Sequence, residues 1–281
     1  MRKIMAILAH PDDEGAIGGT LAAYARQDVE ITLVCATRGE AGEISDPALA
    51  TAETLGEVRQ KELEAACQIL GIQQLHFLDY CDSGMAGTAE NGNPHAFVQA
   101  DPAEVTGELV SLIRRQKPDI VITFEPFGWY GHPDHQAASR WATEAYALAG
   151  DTAAYPDSGA AWQPQRLFHA VLPFSKFQAV IQEAAAEGYF ESHDLIESIP
   201  QEQLLKTESE VTHVIDITAL FDIKQSARRA HHTQFSEEHM FRKIPREMMI
   251  KASGNEYFIQ VRPLPEKSLT QDPLPDLFAG P

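Results

Sequence analysis

The chain has 281 residues, 44% of them hydrophobic, and a net charge of −19. That length suits one large α/β domain, or one domain with appendages, and is enough to bury a sizeable core. Such acidity disfavours nucleic acid and anionic membrane as partners, since both are bound largely through Lys and Arg; solubility is the plainer account of it.

Cys35, Cys67 and Cys81 are sparse, with no CxxC pair, which speaks against a disulfide scaffold and for a reducing compartment. The N-terminus enters a strand pattern within a few residues, and no apolar run approaches the roughly 20 residues of a membrane span. A cytoplasmic location is expected.

Residues 3–9 (KIMAILA) predict a buried strand. From Glu14 the pattern changes to helical spacing, with Ile17, Leu21 and Tyr24 apolar. Residues 29–36 predict the next strand, so the chain opens as a βαβ unit with a parallel sheet and a right-handed crossover. A Gly-rich acidic loop, Arg38 to Pro47, leads to a helix over 54–70 that stops at Gly71. Leu75 to Leu78 read as a short strand. Residues 79–100 lack periodicity and read as a long loop, a kind of segment that is usually functional. Asp101-Pro102 supplies an N-cap and a first-turn proline, with Glu104 near the reciprocal capping position, for a helix ending near Lys117.

A strand over 119–124 and a helix over 134–148 follow, then a linker-like stretch, 151–165. Strand 167–172, helix 175–187, strand 211–216, helices 218–231 and 241–252 and strand 256–261 continue the pattern. The proline-rich tail from Pro263 predicts an extended arm or a partly disordered end. The expected fold is α/β: a Rossmann-like, mostly parallel sheet flanked by helices. Residues 1–262 make one domain, with a core over 1–150 and a C-terminal α/β extension over 151–262; 263–281 form the tail.

Two His/Asp clusters stand out. Ala9-His10-Pro11-Asp12-Asp13-Glu14 follows the first strand, and Gly131-His132-Pro133-Asp134-His135 follows the strand ending near Phe124. Two strand ends at the carboxyl edge of one parallel sheet are where α/β proteins build sites. His10, Asp13 and His135 offer three metal ligands with room for a water, leaving Asp12 as a free carboxylate and His132 as a free imidazole. Zinc lowers the pKa of a bound water from 15.7 to roughly 7. Asp12 can then take its proton and return it to a departing amine. His132, if protonated, and Tyr130 can stabilise an oxyanion. Gly15, Gly18 and Gly19 do not form GxGxxG; Gly18 and Gly19 instead predict close packing of the first helix. His231 and His232 follow a helix end and read as charge partners of that terminus, with a substrate-side contact as the alternative.

AHPDDE near the N-terminus together with GHPDH resembles the PIG-L/LmbE family of zinc-dependent N-deacetylases, over at least residues 3–140. The resemblance implies His10, Asp13 and His135 as zinc ligands, Asp12 as general base and His132 as transition-state stabiliser. Arg59 (in EVRQKEL), Asp82 (in DSGM) and Tyr130 (in WYGHPDH) resemble the mycothiol branch of that family. There the matching Arg and Asp face substrate, and the Tyr is an active-site residue. The implied activity is hydrolysis of an N-acetyl amide on an N-acetylglucosamine-containing small molecule. An amidase acting on a thiol S-conjugate of a glucosaminyl carrier, or an inactive sugar-binding protein, are the alternatives. One Zn2+ per chain is expected, with Fe2+ or another divalent metal also compatible with the ligands. Oligomeric state is left open, a homo-oligomer included.

Overall fold

The computed structural model describes residues 1–172, 174–189, 207–237, 239–264 and 272–280. Its strands are β1 (Lys3–Leu8), β2 (Glu30–Thr37), β3 (Gln74–Tyr80), β4 (Ile120–Phe124), β5 (Arg166–Val171), β6 (His213–Asp216) and β7 (Asn255–Arg262). They form a seven-stranded sheet in the order β3-β2-β1-β4-β5-β7-β6. Strands β1 to β5 pair in parallel, as the βαβ reading expects. The chain order reverses between β1 and β4, which pair from Ile4 with Ile120 to Ala6 with Ile122. That reversal opens a crevice at the carboxyl ends of both strands.

Ile4 to Leu8 and Ile120 to Phe124 are buried at every position. Such runs need helices over both faces of the sheet. The helices pack in groups. Helices α1 (Gly18–Ala25), α2 (Leu55–Leu70) and α6 (Phe221–Ala230) pack together, α3 (Pro102–Gln116) packs with α4 (Pro133–Ala149), and α5 (Phe174–Ala186) packs with α8 (Arg246–Ser253). Gly19 permits the tight approach expected of it, but against the end of β6: a Cβ there would lie 2.6 Å from Ile217 Cβ. Cys35 and Cys67 are buried and unpaired.

Several expectations change. The C-terminal extension does not continue the parallel pattern, because β7 inserts antiparallel between β5 and β6. The helix expected from Glu14 is a 3-10 turn over Asp13–Ala16, and α1 begins only at Gly18. The helix expected over 241–252 is broken: α7 (Met240–Lys243) ends before Ile244, which is extended ahead of Pro245. A residue preceding proline is driven out of the helical region. The loop over 79–100 is ordered by two 3-10 turns and a bridge between Cys81 and Ala96. The described end of the tail docks on the body rather than forming an arm. Leu277 is fully buried, its N–H donates to the Tyr24 hydroxyl, and Arg166 donates to its carbonyl. Residues 265–271 and 281 of the tail lie outside the described residues.

The extension is tied to the N-terminal core by Glu256 of β7. Its buried carboxylate accepts the N–H groups of Gly19 (2.9 Å) and Thr20 (2.7 Å) at the start of α1. It also accepts from Lys224 Nζ of α6 at 2.7 Å. No helix among the described residues is long and apolar enough to cross a membrane.

Candidate metal centre

The two clusters meet at the crevice beside β1 and β4. The Asp13 carboxylate accepts the N–H of His10 at 2.7 Å and of Ala9 at 3.2 Å, which folds the turn after β1 back on itself. His10 Nδ1 lies 3.2 Å from His135 Nε2. Asp13 approaches His135 Nε2 to 3.2 Å through Oδ1 and His10 Nδ1 to 3.6 Å through Oδ2. Ligand atoms about 2.0–2.1 Å from a tetrahedral zinc stand roughly 3.4 Å apart. His135 Nε2 thus has His10 Nδ1 and Asp13 Oδ1 at the spacing of zinc ligands, while Asp13 Oδ2, nearer His10, is engaged by backbone N–H groups. The nitrogens of His10, His132 and His135 also fall within 4.8 Å of one another.

The surroundings hold each group. His135 is fully buried and stacks on Phe124, with ring centroids 4.1 Å apart. The loop before it needs Gly128, whose φ is +73° and where a Cβ would lie 2.8 Å from His135 Cβ. Glu125 shapes the same loop by accepting the N–H groups of Phe127 and Trp129, each at 2.6 Å. His132 caps α4, its Nδ1 accepting the Asp134 N–H at 3.2 Å. Burial, then the neighbouring His10 and His135, pushes His132 down to about 4. With Nδ1 accepting the cap N–H, the ring's proton sits on Nε2.

Asp12 stands beside this group with a left-handed backbone, φ 100° and ψ −21°. Burial raises its carboxyl to about 6, against the opposing pull of Arg59. Burial also pushes the Asp13 carboxyl up, but His135 and His10 outweigh it and hold Asp13 well below the usual carboxylate range. Tyr130 is 40% exposed, and its ring centroid lies 5.1 Å from that of His135. A cavity of about 440 Å³ starts at Asp12, Asp13 and Tyr130 and continues between apolar walls that include Phe174, Phe177, Phe235 and Phe241.

The two residues expected to face substrate lie inside the site. Arg59 is 3% exposed; its guanidinium donates to the carbonyls of Gly39 and Pro11 and stands 3.3 Å from Asp12 Oδ2. Asp82 is buried, with Oδ1 3.4 Å from His10 Nε2. Arg59 and Asp82 do not pair with each other: Arg59 engages Asp12 and Asp82 engages His10.

Sequence reasoning missed Asp134. Its Oδ2 lies 3.2 Å from His10 Nε2 and accepts the Ser83 N–H at 2.9 Å. A carboxylate on the far nitrogen of a ligating histidine fixes its tautomer and orientation. Asp134 sits in the first turn of α4, where an acidic residue ordinarily reads as a partner of the helix dipole. Its place between two histidines was the signal available.

Residues 5–146 match the family described as PIG-L: GlcNAc-PI de-N-acetylase. Over 289 aligned positions, covering 99% of this chain and 89% of its relative, the sequence is 36% identical to 1D-myo-inositol 2-acetamido-2-deoxy-alpha-D-glucopyranoside deacetylase 1 of Catenulispora acidiphila. In fold, the chain is similar to N,N'-diacetylchitobiose deacetylase from Pyrococcus horikoshii, with a TM-score of 0.65 at 21% identity over 95% of this chain and 88% of that one. It is also similar to the 4-carboxy-2-hydroxymuconate hydratase of Pseudomonas putida, at TM-score 0.63, 19% identity and 95% and 99% coverage. A hydratase on the same fold means that the fold alone does not fix the reaction. The sequence relationship and the matched segment, which contains both His/Asp clusters, place the chain in the PIG-L family of N-deacetylases.

Proposed function

We propose that this chain is a metal-dependent N-deacetylase that hydrolyses the N-acetyl amide of an N-acetylglucosamine unit in a small molecule, releasing acetate and a free amine. The observation that carries this reading is the convergence of His10, His135 and Asp13 at 3.2–3.6 Å with Asp12 beside them. His10, Asp13 and His135 would hold one divalent cation. Two imidazoles and a carboxylate favour zinc, and the same set suits Fe(II). A cation held there supplies Lewis acidity and lowers the pKa of a water molecule.

The protein's own groups do the rest. Asp12 takes the proton of the attacking water and returns it to the departing amine. The His132 Nε2–H and the Tyr130 hydroxyl donate to the developing oxyanion. Arg59 fixes Asp12 from behind, so its effect on substrate runs through the base. Asp82, with Asp134, orients His10. We read residues 1–262 as one domain, supported by the reach of Glu256 into the start of α1.

The inositol glucosaminide of the Catenulispora relative is the first substrate to test. A second reading, an amidase acting on a thiol S-conjugate of a glucosaminyl carrier, is favoured by the apolar walls of the cavity, which suit an apolar group. Primary-amine release from the inositol glucosaminide, simpler N-acetylglucosaminides and a thiol S-conjugate separates the two. The deacetylase reading predicts fastest release from an acetylated sugar. Release from the conjugate alone would favour the amidase, and no release from any of them by zinc-loaded protein would refute both.

A further inference from the structure

His231 follows the last residue of α6 and is fully buried. Its Nε2 lies 2.7 Å from Glu14 Oε1. Glu14 is fully buried too, and its other oxygen, Oε2, accepts the N–H of Asp12 at 3.0 Å. A carboxylate oxygen accepts, so His231 Nε2 is the donor of this contact. His231 Nδ1 has no hydrogen-bond partner, so the ring is spent wholly on Glu14.

The chain at the far end of this relay is Asp12, whose φ of 100° is one an aspartate keeps only when its surroundings hold it there. Glu14 grips Asp12 at its backbone N–H, the atom whose position defines that conformation. The segment carrying His231 is itself fastened without Glu14. Thr233 donates to Glu62 through its N–H at 2.8 Å and its hydroxyl at 2.6 Å, and its carbonyl accepts the Ser45 N–H at 2.9 Å. The imidazole is thus a fixed post, and Glu14 transmits its position to Asp12.

We propose that His231 is a positioning residue: acting through Glu14, it holds Asp12 in the left-handed turn that presents its carboxylate to the metal-side cavity. The proposal rests on Asp12 being the general base. It makes the C-terminal extension, 217 residues away in sequence from Glu14, part of the machinery that aims the base.

A double-mutant cycle tests it, using full-length, zinc-loaded protein and amine release. In the wild-type background, His231→Leu should lower kcat by about 10²-fold, the scale of loss when a reacting group is slightly misplaced. KM and metal content should not change. In the Asp12→Asn background the same substitution should change the residual rate by less than about 3-fold, because the group it positions is already disabled. His231→Gln, whose amide nitrogen can replace Nε2 as the donor to Glu14, should recover most of kcat. If His231→Leu does not fold, His231→Asn, too short to reach Glu14, takes its place in the cycle. Equal fold-losses in the two backgrounds, or a lowered unfolding midpoint with kcat unchanged, would overturn the positioning role. Near wild-type turnover by Asp12→Asn would overturn the base assignment itself, and the positioning role with it.

Discussion

Replacing Glu256 by alanine removes a carboxylate that joins the last strand to the first helix. Glu256 is 3% exposed and Lys224 7%. Without Glu256, Lys224 Nζ keeps only the Ala16 carbonyl at 3.1 Å, and the Gly19 and Thr20 N–H groups lose their acceptor. Breaking a buried ion pair from one side costs about 3–5 kcal/mol, since the remaining charge is left uncompensated. Each orphaned helix N–H would cost about 1–3 kcal/mol if it stayed dry, but these terms overlap with the first. A net loss of about 3–5 kcal/mol corresponds to a fall in Tm of roughly 5–9 °C in a chain of this size. Urea and thermal unfolding of Glu256→Ala, Glu256→Gln and the pair Lys224→Met/Glu256→Leu measure it. Glutamine, which keeps an acceptor for one N–H, should cost less than alanine. The apolar pair should be more stable than Glu256→Ala, because it strands no charge. A loss under about 1 kcal/mol in Glu256→Ala, or a double variant less stable than the single, would refute the uncompensated-charge argument.

Arg59→Ala should lower kcat by a similar factor on the full substrate and on plain N-acetylglucosamine, since Arg59 touches Asp12 rather than the cavity's far end; a loss confined to the full substrate would instead assign it to the aglycone. Gly128→Ala forces a Cβ into contact with His135 at φ +73° and should cost about 1–3 kcal/mol, with weakened metal retention that equilibrium dialysis would detect. His213 and His169 are each lowered from 6.5 to about 4, chiefly by burial and then by Arg166 and Arg262 respectively. The unfolded chain therefore binds those protons first. The stability this represents is complete above pH 6.5 and is lost as pH falls towards 4, by up to about 3 kcal/mol per histidine. Urea midpoints of His213→Gln should fall less steeply than wild type across that window, and parallel slopes would contradict the assignment.

The chemistry was legible because its signals are local. His10, Asp12 and Asp13 adjoin one strand end, and His132 and His135 adjoin another. The uniformly apolar runs Ile4–Leu8 and Ile120–Phe124 could only be central parallel strands, and two such strands pair. What escaped is non-local. Glu256 accepts the N–H of Gly19, 237 residues earlier at the start of a helix, and His231 reaches Glu14 across 217. No periodicity encodes such pairings. The antiparallel entry of β7 is a property of how the chain returns to the sheet, and a strand of alternating burial reads alike in either direction. The break at Pro245 was in the sequence but was overridden by the apolar spacing of Phe241 to Ala252. Arg59 and Asp82 were expected to face substrate through the resemblance of EVRQKEL and DSGM to the mycothiol branch, which carries no information on what each side chain touches in this fold. Both are buried, Arg59 beside Asp12 and Asp82 beside His10, and those contacts depend on the tertiary fold.

Metal content tests the central claim most directly. Purified wild-type protein, and the His135→Ala and Asp12→Asn variants, are saturated with zinc, desalted and analysed for bound metal. The arrangement of His10, Asp13 and His135 predicts about one equivalent per chain in wild type and in Asp12→Asn, and little in His135→Ala. Full retention in His135→Ala, or no bound metal in wild type, would contradict it.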